Sequence, residues 1–322
     1  MAPIHKQSLI GGTNFPADLF IKLSSNSYLL LARQGEAANL SDFSITDKHE
    51  VQYLFVRKVE YKNFVGQSIM VAGILMNKAE VSTDRKAVFI SNAADSVFHE
   101  ISELGFSRES LDHAKQVSEK IRMLVEGKMD LFSVMSMLAN VPGDLLRHSV
   151  AVSAVSVMIA KGMDFTLDAN IEKVALGGML HDIGMKELPT EILEKSRHEL
   201  SRDEQALYES HAFRGAEIMR TMPSVPDELV SVAYEHHENS IGQGYPRRLR
   251  DFRIAPFAKV VAVADTFCDL TLVTGNEPNP RTPTEALLYM EMTLGQPFNK
   301  QVFNSLRNIV ENNALATPRK AA

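Results

Sequence analysis

The stretch "GGMLHDIGMKELP" (residues 177–189) decides how the rest of the chain is read. An apolar, helix-like run ends on His181 beside Asp182 and is stopped by Gly184. Adjacent residues on a helix point about 100° apart, so an ordinary core does not place an imidazole and a carboxylate side by side. Such a pair calls for partners from elsewhere in the chain.

Outward from this stretch the texture is helical. Apolar residues recur every three or four positions over 143–161, 168–182, 202–221, 226–237 and 253–271, and over the shorter runs 130–139, 283–294 and 299–313. The connections carry Gly, Pro, Asn or Asp, which predicts a helical bundle. The run "SRESLDHAKQVSEKIRMLVEG", ending at Gly127, opens with Ser and an acidic first turn and predicts one more helix. Residues 1–105 read differently. "SYLLLAR" (27–33), "VQYLFVRKV" (51–59) and "KAVFISNA" (86–93) are rich in Val, Tyr, Phe, Ile and Leu near turn formers, which predicts strands. The fold class expected is α+β. A mixed α/β domain over 1–105 is followed by a helical linker over 106–140 and a helical domain over 141–322. The tail "ATPRKAA" is expected to fray.

Composition narrows the function. The 322 residues, 45% hydrophobic, suffice for a large core and two domains. A net charge of −6 argues against a nucleic-acid polymer as partner, though not against a small anion at a local site. The single cysteine, Cys268, excludes an intrachain disulfide and fits a reducing compartment. The start "MAPIHKQSLIGG" lacks a secretory pattern, and no run of about 18 uncharged apolar residues is present. The expectation is a cytoplasmic protein with no membrane partner.

Five of the ten histidines, His148, His181, His211, His236 and His237, stand at special places in the helical half. They fall on successive helices, with separations of 33, 30 and 25 residues before the adjacent last pair. Helical bundles build metal sites from inward-facing residues of this kind. Asp182 and Asp265 join them, the latter inside "KVVAVADTF", where a charge is costly unless paired or metal-bound. Singly, each has a bland explanation, such as a surface histidine or a solvated helix end in "EHHE" (235–238). Together they point to one centre. His5, His49, His99 and His113 are scattered and read as ordinary histidines.

The order and spacing resemble the HD superfamily of metal-dependent phosphohydrolases. "HHENSIGQGYP" (236–246) further resembles the signature of its HD-GYP branch, bacterial phosphodiesterases of cyclic di-GMP. "LRHSVAVSAVSVMIA", "LGGMLHDIG", "LSRDEQALYESHAFRGAEIM" and "AKVVAVADTF" match in order over about 140–275. The resemblance implies a pair of divalent ions held by His148, His181, Asp182, His211, His236, His237 and Asp265, with Asp182 bridging them. Five imidazoles and two carboxylates suit iron or manganese, with zinc also compatible. Two such ions lower the pKa of a shared water and polarise phosphoryl oxygens. Asp182 and Lys186 are the expected catalytic residues. Tyr245, Arg214, Arg248 and Lys259 are the candidate substrate contacts, Tyr245 on a turn marked by Gly242, Gly244 and Pro246.

The chain also departs from that family. Met185 stands where a lysine usually follows HDIG, and Asn239-Ser240-Ile241 replace Arg-Trp-Asp after HHE. Members with a third metal carry Glu where this chain has Asp144; Cys268 replaces the usual second aspartate. "TGNE" (274–277) replaces Arg-Pro-Tyr-Arg and so removes two cations. The reading is a dinuclear phosphodiesterase opening cyclic di-GMP with metal-activated hydroxide, slowly. Two others stay open: a signalling module that binds metal and nucleotide or a partner protein without turnover, and a phosphohydrolase of another nucleotide. The N-terminal domain is expected to be regulatory or to bind a signalling partner.

Overall fold

Alternating apolar residues near the start of the chain build a four-stranded antiparallel sheet in the order β1-β4-β2-β3. Its strands are β1 (Ala2–His5), β2 (Leu19–Ser24), β3 (Ser27–Ala32) and β4 (Tyr53–Val56). In β4, Leu54 and Val56 are buried while Tyr53 is exposed, the period-two pattern of a half-covered strand. Register is set by Ala2 opposite Val56, Phe20 opposite Phe55 and the β2–β3 hairpin. The computed structural model describes all residues except 6–8, 10–12, 26, 38–50, 52, 128–129, 139–143, 164–166, 274–278, 295–296 and 317–322. His49 and "TGNE" therefore lie outside the described residues.

The chain divides into two compact units, Met1–Val117 and Ser118–Ala322. In the first, α1 (Tyr61–Met76) packs on α2 (Thr83–Leu104). The strand predicted over 86–93 is in fact part of α2. Within those eight residues the apolar positions look strand-like. Over the full 22 residues, buried Ala87, Ile90, Ala94, Val97 and Ile101 recur at helical spacing, while Val88 faces solvent. The side chain of Ser82 caps the N-terminus.

Helix α3 (Arg108–Glu126) carries His113, whose Nδ1 lies 2.8 Å from Glu100 Oε2 on α2. The Glu100 hydrogen bond, working against burial, raises the His113 pKa above its ordinary value.

In the second unit, α5 (Asp144–Gly162) is the central helix, buried along nearly its whole length. Packed on it are α4 (Leu131–Leu138), α6 (Asp168–Leu180), α11 (Pro256–Thr271) and α13 (Lys300–Ala316). α9 (His211–Arg220) packs on α10 (Asp227–Glu235), and α10 reaches both α6 and α11. α7 (Thr190–Leu193), α8 (Arg202–Glu209) and α12 (Pro283–Met292) complete the order. Among the described residues α5 alone is long and apolar enough for a membrane span, and most of it lies inside the bundle.

The His113–Glu100 pair makes a pH prediction. A histidine whose pKa is raised on folding adds stability that is fully present below its unfolded value, about 6.5, and is lost as pH rises through the folded one. Denaturant midpoints should therefore fall with rising pH across that interval, and His113→Gln should flatten the dependence. An unchanged slope in the variant would assign the effect elsewhere.

Candidate metal centre

Each of the seven residues singled out from the sequence sits at a helix end or on a buried helix face. His148 is on α5 and Asp265 in the middle of α11. The predicted helix 168–182 ends at Leu180, so His181 caps α6, and Asp182 leads into a 3-10 turn, Ile183–Glu187. The single helix predicted over 202–221 is two helices, α8 and α9, meeting at Ser210. The Ser210 hydroxyl donates to the Leu207 carbonyl at 2.6 Å, an internal bond that competes with a continuous ladder. His211 is thereby the first residue of α9, and His236 and His237 follow α10 directly. Gly184 is required at the turn, because a Cβ there would overlap the His211 carbonyl and the Gly215 nitrogen. Its absence lets the His181-Asp182 pair press against the start of α9.

The side chains converge. Asp182, His211, His236 and His237 form one group, and His148, His181 and Asp265 a second, with the candidate ligand atoms in each within 4.8 Å of one another. Both carboxylates straddle the groups. Asp182 Oδ1 lies 3.2 Å from His211 Nε2 and 3.5 Å from His236 Nε2, while Oδ2 lies 3.3 Å from His181 Nε2. Asp265 Oδ1 lies 2.9 Å from His148 Nε2 and 3.6 Å from His181 Nε2, and Oδ2 lies 3.5 Å from His237 Nδ1.

Tautomers follow from the backbone. The Nδ1–H groups of His181, His211 and His236 donate to the carbonyls of Gly178 (2.8 Å), Tyr208 (2.7 Å) and Ala233 (3.0 Å). Each ring, in its neutral form, then presents its Nε2 lone pair inward. His211 Nε2 and His236 Nε2 face each other at 3.2 Å, where two lone pairs repel unless a cation or proton lies with them. His181 Nε2, Asp182 Oδ1 and His237 Nε2 are buried without an aligned hydrogen bond. These atoms point at common centres rather than at one another, and the donor set fits a divalent metal.

The two carboxylates also dominate the electrostatics of the cluster. Burial drives the His181 pKa down, but the flanking Asp182 and Asp265 carboxylates override it and hold the group well above its ordinary value. The reciprocal holds for Asp182 and Asp265. Burial raises them, and the surrounding imidazoles bring them well below the usual carboxylate range. His236 and His237 are lowered by burial, and His237 further by the charge of His236.

The polar run "EHHE" is buried rather than solvated, with Glu235, His236 and Glu238 at most 6% exposed. The histidines turn to the centre and the glutamates to the following loop. Glu238 accepts from the amides of Arg247 (2.6 Å) and Leu249 (2.7 Å), and Glu235 from Ala255 (2.7 Å). The Tyr245 amide donates to the His237 carbonyl at 3.2 Å, and a Cβ at Gly244 would collide with that same carbonyl. The Tyr245 ring consequently lies 4.5 Å from the His237 ring, its phenol kept neutral by burial.

The other candidates stand apart from the seven. Lys186 is exposed on the 3-10 turn. Arg214 bonds Ser210 and pairs with Glu187 at 3.6 Å, Lys259 pairs with Asp251 at 3.2 Å, and Arg248 is exposed at a φ of 54°. Asp144 pairs with Arg147. Met185 is buried. Sequence reasoning missed Asp269, whose Oδ1 lies 3.5 Å from His148 Nδ1, and Arg197, which pairs with Asp269 Oδ2 at 3.3 Å. The signal was there for the first, since Asp269 is one helical turn beyond Asp265 and shares its face.

Residues 133–302, just over half of the chain, match the family model described as HD domain. The chain belongs to the HD domain family, as a member of the HD-GYP type. This HD domain is 32% identical over 160 residues to a cyclic di-GMP phosphodiesterase of Pseudomonas aeruginosa, covering 49% of this chain and 37% of that one. It is 31% identical over 157 residues to a cyclic di-GMP phosphodiesterase of Thermotoga maritima, covering 48% and 42%. The match thus spans less than half the length of these curated relatives. In solved structures, a HDG"Y"P protein from Bdellovibrio bacteriovorus superposes with a TM-score of 0.69 at 18% identity, covering 96% of this chain and 99% of that one, a likeness of fold.

Glu238 is a strut, and Glu238→Gln tests it. The amide keeps the shape but must turn an NH2 toward one of two backbone donors, leaving that donor unpaired. The HD domain should lose about 1–3 kcal/mol of stability, measured by denaturant unfolding. A variant as stable as its parent would show that the loop is held in another way.

Proposed function

We propose that the chain is a metal-dependent phosphodiesterase of cyclic dinucleotides, with cyclic di-GMP the foremost substrate and turnover slow. The observation that carries this reading is the 3.2 Å approach of His211 Nε2 to His236 Nε2 beside Asp182 Oδ1, which has no aligned hydrogen bond, a donor set that fits a cation. Asp182, His211, His236 and His237 would hold one ion, and His148, His181 and Asp265 the other. Iron or manganese suits this imidazole-rich set, with zinc an alternative. When bound, two such ions supply an activated water and polarise the phosphoryl oxygens. Relatives named as phosphodiesterases of cyclic di-GMP, and others named for 3'3'-cGAMP, support the substrate class.

The protein groups have distinct tasks. Backbone carbonyls fix the three imidazoles, so no reorganisation is required as charge develops. Asp182 and Asp265 set the spacing of the two groups because each reaches both. Neutral Tyr245, held beside His237 by the Glu238-braced loop, is placed to donate its phenolic proton to a phosphoryl oxygen. The slow rate follows from the cations. Arg214 and Lys259 are engaged by Glu187 and Asp251, and Met185 offers no charge. Those same features favour a second reading, a module that binds metal and nucleotide without cleaving it. The N-terminal unit would then serve regulation or partner binding.

Metal-loaded protein should open cyclic di-GMP to a linear dinucleotide, followed by chromatography with 3'3'-cGAMP in parallel. Binding without product selects the module, and neither binding nor product rejects both. Asp182→Ala should empty the site more completely than any single histidine substitution, since its carboxylate serves both groups. Metal analysis giving the parent's content in Asp182→Ala would refute that ranking. Hydrolysis in Asp182→Ala should fall by at least about 10²-fold.

A further inference from the structure

Arg197 lies beside the centre without belonging to the donor set. It opens the 3-10 turn Arg197–Glu199, which Ser196 and Glu199 close with a reciprocal capping box. Lys195 pairs with Glu204, and Glu204 caps α8 with Ser201, so the backbone under Arg197 is pinned on both sides. Its Nη2 donates to the Tyr208 hydroxyl at 3.1 Å and pairs with Asp269 Oδ2 at 3.3 Å, and the guanidinium carbon sits 5.1 Å from the centre of the Tyr208 ring. Tyr208 and Asp269 are neighbours of the donor set. The Tyr208 carbonyl accepts from His211 Nδ1, and Asp269 lies against His148. The charge of Arg197 accordingly bears on both His237 and Tyr245.

Only one nitrogen of the guanidinium is used. Among the described residues, Nε and Nη1 have no hydrogen-bond partner, and the side chain is 50% exposed. A guanidinium whose Nη2 is already fixed loses little freedom when one of its remaining donors takes a ligand. A single charge-assisted hydrogen bond to a phosphate oxygen is stronger than a neutral one. The cations expected from the sequence, Arg214 and Lys259, pair with Glu187 and Asp251, whereas the carboxylate that holds Arg197, Asp269, lies against His148.

We propose that Arg197 is a substrate-contacting residue that hydrogen-bonds a non-bridging phosphoryl oxygen of the diester through Nη1, an inference that rests on the phosphodiesterase reading. Asp269 and Tyr208 are its positioning residues. It makes up for part of the positive charge that this chain lacks after its HDIG turn.

Arg197→Ala and Arg197→Lys are compared with the parent, all manganese-loaded. Metal content, binding of inorganic phosphate by calorimetry, and hydrolysis of bis(4-nitrophenyl) phosphate and cyclic di-GMP are measured. Arg197→Ala should keep its metal while phosphate affinity and kcat/KM fall about tenfold to a hundredfold. Arg197→Lys should recover part of this, since it keeps the charge without the planar group that Tyr208 and Asp269 position. Unchanged phosphate binding and kcat/KM in Arg197→Ala would overturn the proposal. So would metal loss in step with activity, because the residue would then act through Asp269 on His148. A parent that neither binds phosphate nor cleaves a diester overturns it as well. Arg197-dependent phosphate binding in a parent that opens no cyclic dinucleotide leaves this contact standing and removes the phosphodiesterase reading. Turnover indifferent to Arg197 does the reverse.

Discussion

Two carboxylates buried among five imidazoles are the constraint on which the second unit is organised. An ionised carboxylate in a low-dielectric interior costs several kcal/mol unless it is matched by opposite charge and hydrogen bonds. Asp182 and Asp265 meet that condition only together with the histidines, since each lies within 3.6 Å of at least two imidazole nitrogens. Three of the histidines, His181, His211 and His236, are in turn aimed by main-chain carbonyls near helix ends. Helix boundaries are therefore part of the chemistry.

This dependence explains why α5 is so uniformly buried. It carries His148 into a place enclosed by α6 and α11, and with α4 and α13 also covering it there is no solvent face to leave polar. Residues such as Ser153 compensate locally, its hydroxyl donating to the Ala175 carbonyl at 2.7 Å across the α5–α6 contact. A helix that resembles a membrane span in composition is thus the centre of a bundle with a polar site at one end.

Much of this arrangement is legible in the sequence, because metal-ligating residue types are rare in apolar helices and their joint spacing is informative. His148, His181, His211, the His236-His237 pair and Asp265 announce themselves against their surroundings. The helices of the second unit follow from periodicity over long windows. What fails is short or shared. The run 86–93 looks like a strand until its apolar positions are followed through 101, and the break at Ser210 rests on one hydroxyl that no periodicity records. Asp269 and Arg197 were hidden because charged residues on an exposed turn or helix end are ordinary in sequence. Only the packing shows that they meet beside His148. Arg214 and Lys259 are as cationic as Arg197, and what separates them is which carboxylate each has found.

The bracing of the loop after His237 has a consequence for how this sequence can vary. Glu238 grips amides of Arg247 and Leu249, groups that every residue except proline possesses, and the Tyr245 amide returns to a main-chain carbonyl. The side chains of residues 239–243 take no part in those three bonds. Asn239 and Ser240 have settled into local bonds of their own, with the Gln243 amide and with Asp251. Outside Gly242, whose φ of 77° favours glycine, such a loop tolerates drift in its lettering while its tyrosine stays in place. The stretch that most visibly breaks the family pattern is thus the one whose identity the scaffold reads least.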